Sequence, residues 1–347
     1  MNAWPRFIPD LTLWHPWHSA RGTLPDRFHG MSLPEICRSL GVPCWQSERP
    51  WHMELGGITV REEQGATGKT LVWETAAGTL TSRWTLGPDG DWWQAEYPVK
   101  TSADLKAALE VAQARHYVID PDVAAGSRSS TVDDIVSMEL PQRPWSELFH
   151  AFLGWSEGLM LFLEEPQAVQ EIASTLEEKL AGLVDGIAAL PGSMILSPDN
   201  LDGQFVTPAA FEENLAPSYR RTAGALHKHG KRLVVHVGGP VRRLLPLLAG
   251  CGVDCVEGVC GAPQGDSTLA EARSLCGPEM ELWGGIAQDF LVANRTEAEF
   301  ENAVAAALSE AANDANAIVG VADRVPVEAL PGRLEKLVKI AAERFTR

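Results

Sequence analysis

Residues 231–240 read K-R-L-V-V-H-V-G-G-P. The apolar run L-V-V is short and unbroken, which is typical of a strand buried on both faces of a parallel sheet. The run ends at His236, and the glycines and proline after it indicate a turn. A long helix is predicted before the strand, from the N-cap Thr207 to the C-cap Gly230. The stretch therefore predicts a helix, a buried strand, a polar residue at the strand's carboxyl end, and a second helix.

The same unit recurs along the second half of the chain. The predicted strands are Met194–Leu196, Leu233–Val235, Val253–Val256, Met280–Trp283 and Ala317–Val321. Each is followed by polar residues and then by a helical pattern, so five strand–helix units predict a parallel α/β architecture. No G-x-G-x-x-G motif follows a strand, which favours a (β/α)₈ TIM barrel over a dinucleotide-binding sheet.

Four polar residues are expected to meet at one mouth of this barrel, because active sites of such barrels lie at the carboxyl ends of the strands. They are Asp199, His236, Glu257 and Asp323. His236, Glu257 and Asp199 are the candidate catalytic residues. A buried carboxylate such as Glu257 needs a cation, a metal or a proton. The plainer interpretations are a histidine bonded to a loop carbonyl, and aspartates that cap turns or form ion pairs.

The N-terminal part is aromatic. Leu11–Trp14 is predicted as the first barrel strand, followed by a loop that reaches the mouth. The candidate substrate-binding residues are Trp14, His15, Trp17, His18, Arg21 and Trp283. Eleven of the twelve tryptophans precede residue 156. A cluster of Trp14, Trp17, Trp92, Trp93 and Trp283 is therefore predicted as an aromatic pocket wall, although packing in the core explains any single tryptophan.

Between about residues 50 and 98 the pattern changes to alternating apolar and polar residues separated by glycine turns. This predicts an antiparallel meander, inserted beside the barrel as an N-terminal elaboration. The whole chain, 1–347, is predicted to be a single domain. Residues 115–190 predict two helices, Trp145–Leu163 and Pro166–Leu190, but do not place barrel strands two and three.

Composition excludes several classes of partner. The formal net charge of −17 argues against binding to nucleic acid or to an anionic membrane surface. No apolar stretch is long enough to span a bilayer, and the N-terminus lacks a signal-peptide pattern. Six cysteines without metal-site spacing are expected to be reduced thiols, which indicates a cytoplasmic protein.

Several motifs together resemble the uroporphyrinogen decarboxylase superfamily. They are S-P-D-N-L-D-G at 197–203, V-V-H-V-G-G-P-V-R-R-L-L-P-L-L at 234–248, G-V-D-C-V-E at 252–257, L-W-G-G-I at 282–286 and I-V-G-V-A-D-R-V-P-V-E-A-L at 318–330. The resemblance covers about residues 190–347. It implies a (β/α)₈ barrel and one of two activities. That superfamily contains cofactor-free porphyrinogen decarboxylases and zinc-dependent methyltransferases that work with corrinoid proteins.

Two departures from the superfamily's motifs bear on activity. The decarboxylases carry M-R-Q-A-G-R-Y near the N-terminus, whereas this chain has only Arg21 there, too few cations for a substrate with eight carboxylates. The methyltransferases carry H-x-C-G and a later cysteine. Here Gly238 replaces the first cysteine, and the later one falls near Asp323. A two-thiolate zinc site is thus absent, and His236, Glu257 and Asp323 are the candidate zinc ligands through nitrogen and oxygen.

The resemblance and the aromatic residues favour methyl transfer. A small methylated substrate, with a methoxylated aromatic compound as a plausible case, would give its methyl group to a corrinoid carried by a partner protein. Zinc or a protonated acid would polarise the leaving heteroatom. The alternative is a metal-free decarboxylase of a small aromatic or heterocyclic carboxylic acid. A non-enzymatic binding protein on the same fold is the third hypothesis.

Overall fold

A computed structural model of the chain describes residues 6–87, 92–120, 122–123 and 134–345. The strands in this part are β1 (Cys44–Glu48), β2 (Trp51–Leu55), β3 (Thr59–Gln64), β4 (Gly68–Glu74), β5 (Thr79–Leu86), β6 (Trp92–Glu96), β7 (Arg115–Ile119), β8 (Asp134–Glu139), β9 (Met194–Leu201), β10 (Arg232–Val237), β11 (Cys255–Val259), β12 (Glu281–Ile286) and β13 (Ala317–Val321).

The α-helices are also numbered in chain order. They are α1 (Trp14–Arg21), α2 (Leu33–Leu40), α3 (Leu105–Ala114), α4 (Pro144–Glu147), α5 (Trp155–Glu164), α6 (Pro166–Ala189), α7 (Pro208–Asn214), α8 (Ala216–His227), α9 (Leu245–Gly250), α10 (Leu269–Cys276), α11 (Glu297–Ala312) and α12 (Pro331–Phe345). Among the described helices, none combines the length and the apolar character that crossing a bilayer requires.

The chain divides into two units. The first contains Met1–Glu48, Asp122–Leu140 and Pro191–Arg347, and the second contains Arg49–Pro121 and Pro141–Leu190. The meander predicted between about 50 and 98 belongs to the second unit, which extends well beyond it. The single-domain assignment stays a prediction.

The first unit is built on a parallel sheet of seven strands. Their order is β1-β8-β9-β10-β11-β12-β13, and each neighbouring pair is parallel. The prediction that the strands around residues 234, 256, 282 and 319 are adjacent and parallel is confirmed. β1 and β8 extend the same sheet beyond β9. β8 lies within residues 115–190, where the sequence did not place barrel strands two and three, whereas β1 precedes that region.

This sheet is strongly curled. Trp45 on β1 and Trp283 on β12 pack edge to face with ring centroids 4.7 Å apart. In a flat sheet, two strands five positions apart would be separated by about 24 Å. A single core cluster receives a side chain from each of the seven strands, together with Ile8. The first unit is therefore TIM-barrel-like, with a packed interior rather than a pore.

The first segment of the chain differs from the prediction. Phe7 forms a parallel bridge with Val319 on β13, and Ile8 N donates to Val319 O at 2.9 Å. The segment that extends the sheet thus precedes Leu11, and the prediction of a strand at Leu11–Trp14 is wrong. Trp14 begins α1, and Gly22 caps the end of this helix in the left-handed conformation.

The helix predicted from Thr207 to Gly230 is interrupted. Thr207 does cap its start, with its side chain accepting from Ala210 N. The helix then ends after Asn214, and α8 begins at Ala216. Pro217 explains the break, because proline has no N–H for the carbonyl four residues earlier and its ring crowds that carbonyl. The predicted capping boxes at Ser32, Thr268 and Thr296 are all present.

The second unit contains antiparallel sheets and the helices α3 to α6. β3 to β6 form the predicted meander, with every neighbouring pair antiparallel, and β2 pairs with β7. The helix predicted over Trp145–Leu163 is broken. A π-helical turn, Leu148–Leu153, is followed by Gly154 at φ 72°. A Cβ on Gly154 would lie 2.7 Å from the ring of Tyr97, so only glycine fits there.

The six cysteines all lie in the described part of the chain, where they are buried and none forms a disulfide. Burial raises the pKa of the Cys260 thiol to about 12 and raises the pKa of Cys255 as well. A buried, protonated thiol behaves as a small apolar side chain. The prediction that these cysteines are reduced core thiols agrees with this packing.

Substitution of Gly258 tests how closely β11 packs against β10. Gly258 follows Glu257 at φ 102°, and a Cβ there would lie 2.2 Å from Val237 O. Gly277 also has positive φ, 77°, but has open space around it. Alanine strains both backbones, and only Gly258→Ala adds a clash with a neighbouring strand. We expect urea denaturation to give Gly258→Ala a free energy of unfolding about 2 kcal/mol below that of Gly277→Ala. Equal values would contradict this packing.

Candidate active site

The centre of the site is a histidine–glutamate pair on neighbouring strands. His236 on β10 and Glu257 on β11 are directly opposite each other in the parallel register. His236 Nδ1 and Glu257 Oε2 are 2.5 Å apart. The predicted convergence of these two residues is present in the structure.

The backbone is irregular on both sides of this pair. The register between β10 and β9 shifts between Val235 and Val237, and the register between β11 and β12 shifts between Glu257 and Val259. Such irregularities bend a strand locally and redirect the side chains near them. The two site residues thus lie where the sheet departs from regular pairing.

Burial and mutual attraction govern the protonation of the pair. Burial raises the pKa of the Glu257 carboxyl to about 7, against the opposing effect of the His236 imidazole. Burial lowers the pKa of His236, but the Glu257 charge and hydrogen bond outweigh it, and the net direction is upward. Both shifts favour the retention of a proton by the pair at neutral pH.

Asp323 approaches the other side of the imidazole. Its Oδ1 is 3.7 Å from His236 Nε2, too far for a hydrogen bond but close enough for a strong charge interaction. Asp323 has φ 68°, an uncommon conformation for a residue with a side chain. Gln288 Nε2 donates to Asp323 Oδ2 at 3.5 Å and to Arg324 O at 2.8 Å. The amide of Gln288 therefore connects this strained turn, through hydrogen bonds, to the segment that follows β12.

Sequence reasoning missed Asp10, which belongs to the same site. Its carboxyl is buried, and Oδ1 accepts from Thr12 N at 2.8 Å and from Thr12 Oγ1 at 2.6 Å. Val325 N donates to Asp10 O at 2.9 Å. Burial raises the pKa of Asp10, against the Thr12 hydrogen bonds, while Arg324 lowers it and Asp323 raises it. Asp10 is thus a third carboxyl beside the His236 pair.

Asp199 lies in a different network. It is fully buried on β9, and its Oδ2 accepts hydrogen bonds from Ser197 Oγ at 2.8 Å and from Tyr219 Oη. The second bond links β9 to α8. These contacts describe a buried carboxylate that joins strand to helix, and a catalytic role for Asp199 stays a prediction.

The space beside Gly238 is filled by the side chain of Asn200. A Cβ on Gly238 would lie 1.7 Å from Asn200 Oδ1. A Cβ on Gly239 would lie 2.6 Å from Asp202 Oδ2. A cysteine at residue 238 would therefore displace Asn200, which itself has φ 49°. The H-V-G-G sequence is fitted to this asparagine rather than to a thiolate ligand.

The predicted substrate-binding residues of the N-terminal part lie on α1 and make contacts within the protein. Trp14 is buried, packing on His18 and Phe28. His18 Nε2 is 2.8 Å from Val327 O, in the loop that follows Asp323. His15 Nε2 is 3.0 Å from Met31 O, and the Arg21 guanidinium stacks over Trp17. The prediction that these residues lie on a loop is therefore wrong, because they form a helix, and their contact with substrate stays a prediction.

The predicted aromatic wall has members in both units. Trp283 is buried in the core of the first unit, and its Nε1 donates to Ile8 O at 3.3 Å. Trp92 and Trp93 lie on β6 of the second unit, where Lys69 approaches the Trp92 ring and Trp93 is 60 % exposed. Trp283 thus belongs to the packed core that the curled sheet encloses.

The predicted zinc ligands do not converge on one point. Glu257 bonds to Nδ1 of the imidazole, whereas Asp323 faces Nε2, so the two carboxylates lie on opposite sides of the ring. In the part of the chain that the structure describes, no three His, Cys, Asp or Glu side chains are arranged to hold a metal ion. The arrangement does not fit a site in which His236, Glu257 and Asp323 are all ligands.

The fold and the site define the class of protein: a TIM-barrel-like α/β protein with acid–base residues at the carboxyl ends of its parallel strands. The chain belongs to the uroporphyrinogen decarboxylase family, because the sequence profile described as Uroporphyrinogen decarboxylase (URO-D) matches residues 144–344, more than half of the chain. This confirms the resemblance seen in the motifs. No curated protein matches the chain.

Solved structures extend the likeness at the level of the fold. A methyltransferase from Methanosarcina mazei superposes with a TM-score of 0.53 at 11% identity, covering 76% of this chain and 75% of that protein. A D-psicose 3-epimerase from Clostridium cellulolyticum H10 gives a TM-score of 0.37 at 10% identity, over 64% of this chain and 80% of that protein. The first shares the fold of this chain.

The protonation of the site predicts a pH dependence of stability. The pKa of Glu257 and that of His236 are both raised in the folded state, so the folded state holds protons that the unfolded chain releases at lower pH. Stability contributed by these protons is present in acid and is lost as pH rises through about 7. We expect the free energy of unfolding to fall by about 1 kcal/mol between pH ~6 and ~8 as the His236–Glu257 pair loses its proton.

The measurement is urea unfolding of the wild type, Glu257→Gln and Glu343→Gln at both pH values. Glu343 is an exposed carboxyl and provides the matched control. Glu257→Gln should flatten the pH dependence, whereas Glu343→Gln should leave it unchanged. Parallel pH curves for all three proteins would mean that Glu257 ionises normally.

Proposed function

We propose that this protein is a methyltransferase that removes a methyl group from a small methylated substrate, with His236 as the general acid. The substrate class that we favour is a methoxylated aromatic compound. Membership of the uroporphyrinogen decarboxylase family supports an enzymatic role. The shared fold with the Methanosarcina mazei methyltransferase is consistent with methyl transfer.

One observation carries this proposal: the two nitrogens of His236 have different surroundings. Nδ1 is held by Glu257 Oε2 at 2.5 Å. Nε2 has no hydrogen-bond partner among the described residues, and the nearest acidic oxygen, on Asp323, is 3.7 Å away. A protonated imidazole in this setting is fixed on one side and offers an N–H on the other. This is the arrangement that a general acid requires.

The chemistry follows from that geometry. A reduced corrinoid on a partner protein would supply the nucleophile and accept the methyl group. When the bond between the methyl carbon and the substrate oxygen breaks, its electron pair stays on the oxygen. His236 then gives its Nε2 proton to that oxygen. Glu257 stabilises the imidazolium before the transfer and keeps the ring oriented, and the Asp323 charge helps to keep the proton on Nε2.

The alternative is a metal-free decarboxylase of a small aromatic or heterocyclic acid. The same observation favours it, because a carbanion left by departing CO₂ would take the Nε2 proton of His236. The family name describes decarboxylation. The two hypotheses differ in the product, a methylated acceptor or CO₂, and share His236 as the proton donor.

The activity test uses reduced free cobalamin as acceptor and a panel of methoxyarenes that includes anisole and para-methoxybenzoate, with formation of methylcobalamin followed by absorbance. We expect His236→Asn to lower the rate by about 10²-fold or more, since general acids typically contribute that much. Release of CO₂ from an aromatic acid without methyl transfer would support the decarboxylase instead.

The chain offers a matched control for this variant. His227 also pairs with a carboxylate, since its Nε2 is 2.9 Å from Asp254 Oδ2. Asp254 accepts from Leu233 N near the start of β10, whereas His236 lies near the end of that strand. His227→Asn should therefore leave the rate unchanged. Equal losses in both histidine variants would indicate damage to the fold rather than loss of an acid.

Zinc was predicted from the sequence and is tested directly by metal analysis. The diverging carboxylates favour proton transfer without a metal. We therefore expect protein purified without chelators to contain less than about a tenth of an equivalent of zinc, with activity unaffected by chelation. About one equivalent of zinc that is lost in His236→Asn, together with inhibition by chelators, would restore the metal hypothesis.

A further inference from the structure

Arg324 places a cation at the candidate site, and most of its N–H donors make no hydrogen bond to the described residues. Its Nε donates to Asp323 Oδ1 at 3.2 Å, and the side chain is 44% exposed. Within the described parts of the chain, neither Nη1 nor Nη2 makes a hydrogen bond. A guanidinium has five N–H groups, so the outer edge formed by the two Nη atoms is open to a ligand.

The guanidinium is held beside the proposed acid. The same oxygen, Asp323 Oδ1, contacts Arg324 Nε and faces His236 Nε2. Asp323 occupies the left-handed conformation, and Gln288 bonds both to its carboxylate and to the carbonyl of Arg324. The strained backbone and the amide clamp therefore set the distance between the cation and the imidazole.

The carboxyl groups of the site leave the outer edge of Arg324 free. Glu257 Oε2 is taken by His236, Asp10 Oδ1 by Thr12, and Asp323 Oδ1 by Arg324 Nε. Glu257 Oε1 is a further unsatisfied atom, since it is buried and has no hydrogen-bond partner among the described residues. An open guanidinium edge and a buried carboxyl oxygen without a partner are polar groups that a bound ligand would complete.

We propose that Arg324 binds a carboxylate on the substrate through its Nη1–Nη2 edge and thereby presents the reacting methoxy group to His236. This inference rests on the proposed function and narrows its substrate class to anionic aromatic compounds. The planar fork of arginine matches a carboxylate in a bidentate pair, which lysine cannot reproduce. Arg324 is then a specificity residue, and His236 performs the proton transfer.

The test compares binding of para-methoxybenzoate with that of para-methoxybenzamide, a neutral analogue of nearly the same shape, by calorimetry. Binding requires no acceptor and no turnover. We expect the wild type to bind the acid about tenfold more tightly than the amide, since a charge-assisted pair adds about 1.4 kcal/mol or more. Arg324→Gln should abolish this preference, and Arg324→Lys should restore only part of it.

Arg220→Gln is the matched control. Arg220 is also a half-exposed arginine of the first unit, and its Nη2 lies 3.0 Å from a carboxylate oxygen of Glu212. Its substitution should leave the preference for the acid unchanged. An equal affinity of the wild type for acid and amide, failure to bind either, or a preference that persists in Arg324→Gln would each overturn the proposal.

Failure of the Arg324 proposal can be distinguished from failure of the proposed methyl transfer. A preference for the acid that depends on Arg324, without methyl transfer, would support the binding site and contradict the proposed reaction. Methyl transfer from para-methoxybenzoate with the same KM in the wild type and in Arg324→Gln would support the reaction and overturn the role of Arg324. Where the acid is the substrate, Arg324→Gln should raise KM and leave kcat nearly unchanged, because the bond acts on both ground and transition states.

Discussion

The hydrogen bond between His236 Nδ1 and Glu257 Oε2 is the interaction on which the rest of the site depends. A buried carboxylate is costly unless a cation or a proton accompanies it, and a buried imidazolium has the same requirement in reverse. Parallel pairing of β10 with β11 brings the two groups together at 2.5 Å, so each satisfies the other. Both pKa values are raised, which favours the retention of a proton by the pair, and the bond of Glu257 to Nδ1 leaves Nε2 as the nitrogen from which a proton can leave.

The carboxyl ends of other strands complete this arrangement. Asp10 follows the segment that pairs with β13, and Asp323 follows β13 itself. Gln288, after β12, bonds to the turn of Asp323. A curled parallel sheet brings such residues from distant parts of the chain to one rim, which explains why its active sites gather there. The negative charge of these carboxyls favours the protonated state of His236.

Much of this could be predicted from the sequence, because the strand–polar–helix unit has a clear local pattern. The parallel order of β10 to β13 and the proximity of His236, Glu257 and Asp323 follow from it. The direction in which each side chain points does not follow from that pattern. That Glu257 bonds Nδ1 while Asp323 faces Nε2 depends on register shifts and on the left-handed turn at Asp323, neither of which has a local signature. Asp10 escaped notice because its strand segment is too short to show a period.

The central claim is that His236 is an imidazolium at neutral pH, held so by Glu257. Nitrogen NMR of protein labelled at histidine tests it most directly, with the His236 signal assigned by its absence in His236→Asn. The account predicts that His236 carries protons on both nitrogens at pH ~7 and that Glu257→Gln lowers its pKa, since the charge of a carboxylate stabilises the imidazolium. A neutral His236 at that pH, or a pKa unaffected by Glu257→Gln, would contradict the account.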